Sequence, residues 1–289
     1  MGFSIKEITF KNRYLLYLAD QTYAGPWLSF KLKGRDIEET PVVLKNIETT
    51  PIYRMVNSRT GRFINRITLD FDIEEYLRKL WKEKNHPKSF KLKHDKKHLI
   101  RLYIDIISRP KIPYFKTFFT LKNISDYDLY DFSMYFVFDF DINGLQGFDN
   151  DFAGYDEKND VIYQYDHTGL YGGFSAISKS THHEACLTTD FSIDTNNLNL
   201  SNKIFEGPGE ILYALQIGFK TLKPNQTFQT VLVISGAHSK EELFENIRSG
   251  KKNARKFIGQ VNRHIKSVAR NQQQAGFLKL NLQEAKGCD

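Results

Sequence analysis

The stretch NRITLDFDI, residues 65–73, decides the fold. On an extended chain Ile67, Leu69, Phe71 and Ile73 fall on one side, and Arg66, Thr68, Asp70 and Asp72 on the other. A period of two marks a strand with one face in a core and the other in water. Short aromatic and β-branched runs of the same kind recur outward from it, at 14–18, 27–32, 42–44, 52–56, 63–71, 99–107, 114–122, 131–140, 161–165, 171–178, 185–189, 211–219 and 227–235. Turn residues separate them at spacings too short for crossover helices. The 23 Phe and 15 Tyr suit strands. The expected class is mostly β: a large antiparallel β-sandwich of the supersandwich kind with a C-terminal helical segment.

Two segments depart from this pattern. DIEEYLRKLWKEKN, residues 72–85, reads as a helical insertion, with Asp72 as cap, Glu75 three residues on, and Ile73, Tyr76, Leu77, Leu80 and Trp81 on one face. SKEELF opens a second helix, with Ser239 and Glu242 as a capping box. Leu243, Ile247, Ala254 and Ile258 carry its apolar stripe, and Gly250 is expected to end or kink it. The chain therefore divides into a sandwich, 1–238, and a basic amphipathic helical appendix, 239–289.

The net charge of +7 comes from 41 Lys and Arg against 34 Asp and Glu. Nine of the cations lie between residues 247 and 283, a stretch with no acid, so the basic character belongs to the C-terminal segment. Lys251, Lys252, Arg255, Lys256 and Arg263 are its candidate anion-binding residues. One alternative function is then nucleic-acid binding, which would be steeply salt-dependent, although the aromatics that a single-strand binder interleaves are missing. The apolar stripe must be buried on the chain's own sandwich or on a second copy, which would make a homo-oligomer. Cys186 and Cys288 fit neither a zinc spacing nor a disulfide framework. MGFSIKEITF has no signal-like apolar region, and no run reaches the roughly 18–20 apolar residues of a membrane span. A soluble, cytoplasmic protein is expected.

DFDINGLQGFDND, residues 139–151, is the densest polar cluster. Asp139, Asp141, Asn143 and Gly144 match the opening of a calcium loop, in which alternating oxygens converge and Gly allows the sharp turn. Asp149 and Asp151 could complete the cage, with Ca2+ as cofactor. The twelfth position holds Asn150 where such loops carry Glu, and strands rather than helices flank it. A polar turn whose side chains bond their own backbone fits equally. In THHEAC, His182 and Glu184 share a strand face and form a candidate acid–base pair. Trp27, Tyr155 and Tyr171 are candidate carbohydrate-binding rings, because an apolar sugar face packs on an aromatic face; core burial is their commoner fate. Gly169, Gly172 and Gly173 read as a hairpin turn with a tight backbone approach.

Residues 120–166 resemble the N-terminal β-sandwich of glucoamylase-type and trehalase-type glycoside hydrolases, through an N-x-[ST]-D step at Asn123–Asp126, a strand running into an acidic segment at Phe136–Asp141, Tyr155–Asp156, and the strand at Val161–Tyr165. ISGAHSKEELFENI, residues 234–247, resembles the handover of that domain to a helix. The resemblance spans 114–247 and implies the sandwich fold and a link to carbohydrate enzymes. That family holds its catalytic carboxylates in a helical barrel after the sandwich. Roughly forty residues follow here, so the resemblance does not imply hydrolysis by this chain. The leading expectation is a non-catalytic carbohydrate-associated or protein-interaction module, calcium-stabilised through 139–151, working with a carbohydrate or a separately encoded enzyme. A sugar-active enzyme of epimerase or lyase type, using His182 and Glu184, is the other alternative.

Overall fold

A computed structural model describes residues 7–17, 24–34, 37–45, 50–57, 63–74, 99–109, 111–144 and 147–258. The first strands are β1 (Glu7–Phe10), β2 (Arg13–Tyr17), β3 (Ala24–Gly34), β4 (Ile37–Leu44) and β5 (Thr50–Asn57). The middle of the chain forms β6 (Phe63–Asp72), β7 (Leu99–Ser108), β8 (Tyr114–Asn123), β9 (Leu129–Asp139) and β10 (Phe152–Asp156). The last are β11 (Val161–Tyr165), β12 (Tyr171–Ala176), β13 (His182–Leu187), β14 (Ile211–Leu222) and β15 (Thr227–Ala237), followed by helix α1 over residues 240–258. β1 and β10 lie outside the runs read from the sequence.

The strands form an eight-stranded sheet in the order β10-β11-β12-β15-β8-β7-β6-β5, a five-stranded sheet β13-β14-β9-β3-β4, and the hairpin β1-β2. All strand pairings among the described residues are antiparallel. The inner faces of the two large sheets close one core. Ile67, Leu69 and Phe71 of β6 enter it as their alternation requires, together with Phe136 and Phe138 of β9. Aromatic contacts cross between the sheets: Phe119 meets Phe136 at 4.9 Å and Phe138 meets Phe174 at 4.8 Å. On the other side of β6, Asp70 takes a two-pronged ion pair from its cross-strand neighbour Arg101, at 2.6 and 2.7 Å.

The Asn123–Asp126 step has a physical role. The buried Asn123 amide donates to the carbonyls of Tyr127 (2.7 Å) and Leu222 (2.9 Å), and its oxygen accepts the Ser125 N–H, so one side chain pins the β8–β9 turn to β14. Asp72 accepts the Glu74 N–H at 2.9 Å where a helical turn opens at residues 73–74. The rest of the expected 72–85 insertion lies outside the described residues.

Helix α1 begins with its expected box: Ser239 Oγ accepts the Glu242 N–H, and the Glu242 carboxylate accepts the His238 N–H. Leu243 and Ile247 pack on Val161, Tyr163, Val233 and Ala237, the outer face of the eight-stranded sheet. Gly250 does not end the helix. A Cβ there would sit 2.4 Å from Val233 Cγ1, so this glycine lets the helix lie close on the sheet and continue. Arg263 and the FLKLNL segment (residues 277–282) lie outside the described residues. No described helix is long and apolar enough to cross a membrane.

Candidate functional site

The acidic turn after β9 is organised by hydrogen bonds. Asn143 and Gly144 adopt left-handed φ of 67° and 68°, and the Gly144 N–H returns to the Asp141 carbonyl at 2.9 Å. Asn143 Oδ1 accepts Arg13 Nε at 2.8 Å, while its amide group donates to Thr168 (3.0 Å) and Asp166. Asp139 is buried near Thr188, Asp149 is exposed, and Asp151 is fully buried. Asp151 Oδ2 accepts the Ile142 N–H (3.1 Å) and Gln164 Nε2 (2.6 Å). Burial pushes the Asp151 carboxyl up to about 9, with Asp166 and Asp141 adding to the rise. At neutral pH it is therefore a neutral wedge. Among the described residues no three His, Cys, Asp or Glu gather as a metal site needs. The guanidinium of Arg13 against Asn143 also opposes a cation there. These residues, as placed, do not fit a calcium cage.

His182 and Glu184 do share a face of β13, the outer face of the five-stranded sheet. Residues 188–202 cover that face. Glu184 is 8% exposed, and its Oε2 accepts the Ser201 N–H at 2.7 Å. Burial raises the neighbouring Cys186 thiol to about 12, aided by the Glu184 charge. Burial lowers His182, whose Nδ1 has no hydrogen-bond partner among the described residues. Gln216, opposite His182, is buried and knits the covering segment down through Leu198 O, Asn199 Oδ1 and the Leu200 N–H. Neither side chain lines the cavity of about 490 Å³ beside β15 or the cleft of about 200 Å³ at the far end of α1.

The basic residues of α1 divide by direction. Lys251 Nζ donates to Ser175 Oγ (2.7 Å) and Asn159 O (3.1 Å), and burial lowers it. Arg255 donates to the Ile177 carbonyl, and Arg248 to Asn159 Oδ1. These cations fasten the helix to the β10–β11 and β12 ends. Lys252 and Lys256 are exposed.

The candidate aromatic rings also separate. Trp27 is 3% exposed, edge-on to Phe191 at 5.5 Å, with Lys45 Nζ 4.9 Å above its ring. Tyr155 faces inward. Its ring stacks on His183 at 3.7 Å and its hydroxyl donates to Asp160, which places it in structural work. Tyr171 stands on the outer face of β12 within a ladder that sequence reading missed. Phe152, Tyr165 and Tyr171 are direct partners across β10, β11 and β12. Their rings stack in series, at 5.4 Å and 23°, then 5.1 Å and 14°. All three are half-buried. Gly154 makes the ladder's flank feasible, since a Cβ there would lie 2.4 Å from the Tyr163 hydroxyl. Lys240 sits 4.9 Å over Tyr163, and Glu241 is near enough to help raise the Tyr171 phenol, after burial and the neighbouring tyrosines. Tyr171 was a candidate from the sequence, but the register that stacks it on Tyr165 and Phe152 was not.

No family profile and no curated protein matches the chain. Similar solved structures include a bacterial glucoamylase complexed with acarbose, at 11% identity over 87% of this chain and 36% of that one, with TM-score 0.49. A galactose mutarotase-like protein from Clostridium acetobutylicum is 10% identical over 78% of this chain and 86% of that one (TM-score 0.45). A polysaccharide lyase is 10% identical over 84% and 32% (TM-score 0.42). The chain thus spans about a third of the glucoamylase and of the lyase.

Proposed function

We propose that this chain is a non-catalytic, carbohydrate-associated β-sandwich module that binds sugar on the Phe152–Tyr165–Tyr171 ladder. The single observation that supports the reading is three half-buried rings stacked in cross-strand register on an outer sheet face that α1 covers only in part. Offset rings make a stepped apolar surface, suited to the C–H face of a pyranose. Lys240 and Glu241 at the start of α1 supply a polar rim able to bond sugar hydroxyls. Glu184, by contrast, already accepts a backbone N–H beneath residues 188–202, which weighs against the His182/Glu184 enzyme reading.

A glycan array, followed by calorimetry on the best hit, tests this. Tyr165→Ala is expected to weaken binding about tenfold or more, a loss of ~1.4 kcal/mol, and His182→Ala to leave it unchanged. A flat array, or a hit that turns over and depends on His182, would overturn the reading.

A further inference from the structure

On the inner side of β11, between the two large sheets, three buried polar residues gather around Phe140. Gln164 lies directly across from Gly172 of β12, where a Cβ would sit 3.0 Å from the Phe140 ring, so that ring fills the space beside the amide. Gln164 Nε2 donates to Phe140 O at 2.7 Å and to Asp151 Oδ2 at 2.6 Å, which uses both of its hydrogens and fixes which way the amide points. The Tyr213 ring stands 5.0 Å from that of Phe140 and stacks on Phe174 at 5.3 Å. Asp151 is near enough to raise the Tyr213 phenol, after burial and ahead of Asp139 and Asp141. Each of the three residues is fully buried, and each keeps one oxygen without a hydrogen-bond partner: Asp151 Oδ1, Gln164 Oε1 and the Tyr213 hydroxyl.

We infer that this cluster is a binding site for one internal water molecule, which bridges Asp151 Oδ1, Gln164 Oε1 and the Tyr213 hydroxyl. A buried polar atom without a partner destabilises the fold, and three in one cluster do so together. An internal water makes about three hydrogen bonds, and makes them to groups of this kind. The needs of the three oxygens match it. Gln164 Oε1 can only accept, whereas the Tyr213 hydroxyl has a proton to give. Asp151 Oδ2 already accepts two N–H groups, from Ile142 and Gln164, so the proton of the neutral carboxyl belongs on Oδ1. One water gives a hydrogen to Gln164 and accepts those of Asp151 and Tyr213. A metal cation would leave both of those protons without an acceptor, and among the described residues no three acidic, His or Cys side chains gather to hold one. The bridge ties β11, through Gln164, to β14, through Tyr213, and these strands belong to different sheets. It is a polar link across an apolar core, on the inner side of the strand that carries Tyr165 on its outer face, and it does not depend on sugar binding.

A high-resolution crystal structure of the full chain tests the site directly. Density for one water within about 2.7–3.2 Å of at least two of the three oxygens is expected. Direct bonds among the three groups, or no such density, would overturn the inference. Melting curves add a test by sign. Tyr213→Phe removes the hydroxyl alone. A hydroxyl bonded to a bridging water is missed when it goes, so the melting temperature should fall by about 2 °C or more. A hydroxyl with nothing to bond is no loss, and an unchanged or higher melting temperature would overturn the bridge. Thr117 supplies the control. Its buried hydroxyl also has no hydrogen-bond partner, but its cross-strand neighbours are the apolar Ile106 and Leu232. Thr117→Val should leave the melting temperature level or raise it. An equal fall in both variants would mean that lost packing is being read, and would overturn the inference.

Discussion

On the outer face of the five-stranded sheet, Trp27 and Tyr135 lie at 3% and 0% exposure; on the outer face of β10–β12, Phe152, Tyr165 and Tyr171 stay half-exposed. Both faces are built from aromatic residues on antiparallel strands. Over the first, residues 188–202 are anchored by Gln216, Glu184 and the Tyr135 hydroxyl, which donates to Leu198 O. Over the second, α1 covers Tyr163 with Phe244 and leaves the neighbouring ladder to water. What separates a core face from a more open face here is which covering segment the chain lays across it. Strand composition does not decide it.

The largest effect that could break this contrast is a crossed pair of truncations. Trp27→Ala should destabilise the fold by about 3–5 kcal/mol in urea unfolding, the usual cost of a buried aromatic, whereas Tyr171→Ala should cost about 1 kcal/mol or less. Equal losses would mean that the two faces are covered alike.

The next effect concerns the polar junction between the faces. An aspartyl group that rises from 3.8 to about 9 on folding takes up a proton as the chain folds. Its contribution is fully present below pH ~4 and is lost as pH rises toward ~9, with a slope of up to about 1.4 kcal/mol per pH unit. Asp151→Asn should flatten that slope and melt higher than the parent at pH 8. A parent whose stability is level between pH 5 and 8 would refute the neutral wedge. The smallest effect expected is that of calcium: melting temperatures with millimolar Ca2+ and with chelator should agree within about 1 °C. A stabilisation of several degrees, expected for a ligand that binds only the folded chain, would restore the cage at Asp139–Asp151.

The strands were legible where burial is one-sided or complete, because NRITLDFDI and the run at 131–140 carry their partners' geometry in their own pattern. β10 was not legible. FAGYD holds a glycine and an aspartate beside an acidic run, and it becomes a strand by pairing with Val161–Tyr165, where Gly154 clears space for the Tyr163 ring. His182 and Glu184 were placed on one face correctly, yet the segment that covers them arrives from residues up to twenty positions downstream, a contact that no local pattern encodes. Gly250 misled for a related reason. Its missing side chain answers to Val233, a neighbour in space and not in sequence. The ladder was half-readable: Tyr171 could be suspected alone, but its stacking on Tyr165 and Phe152 follows from register across three strands.

Chemical-shift mapping of the full chain with its best glycan hit tests the central claim most directly. Backbone shifts should concentrate at Phe152, Tyr165 and Tyr171 and at the start of α1, with the residues around His182 and Glu184 silent. Shifts centred on β13 and residues 188–202 would contradict the account and move the binding face to the other sheet.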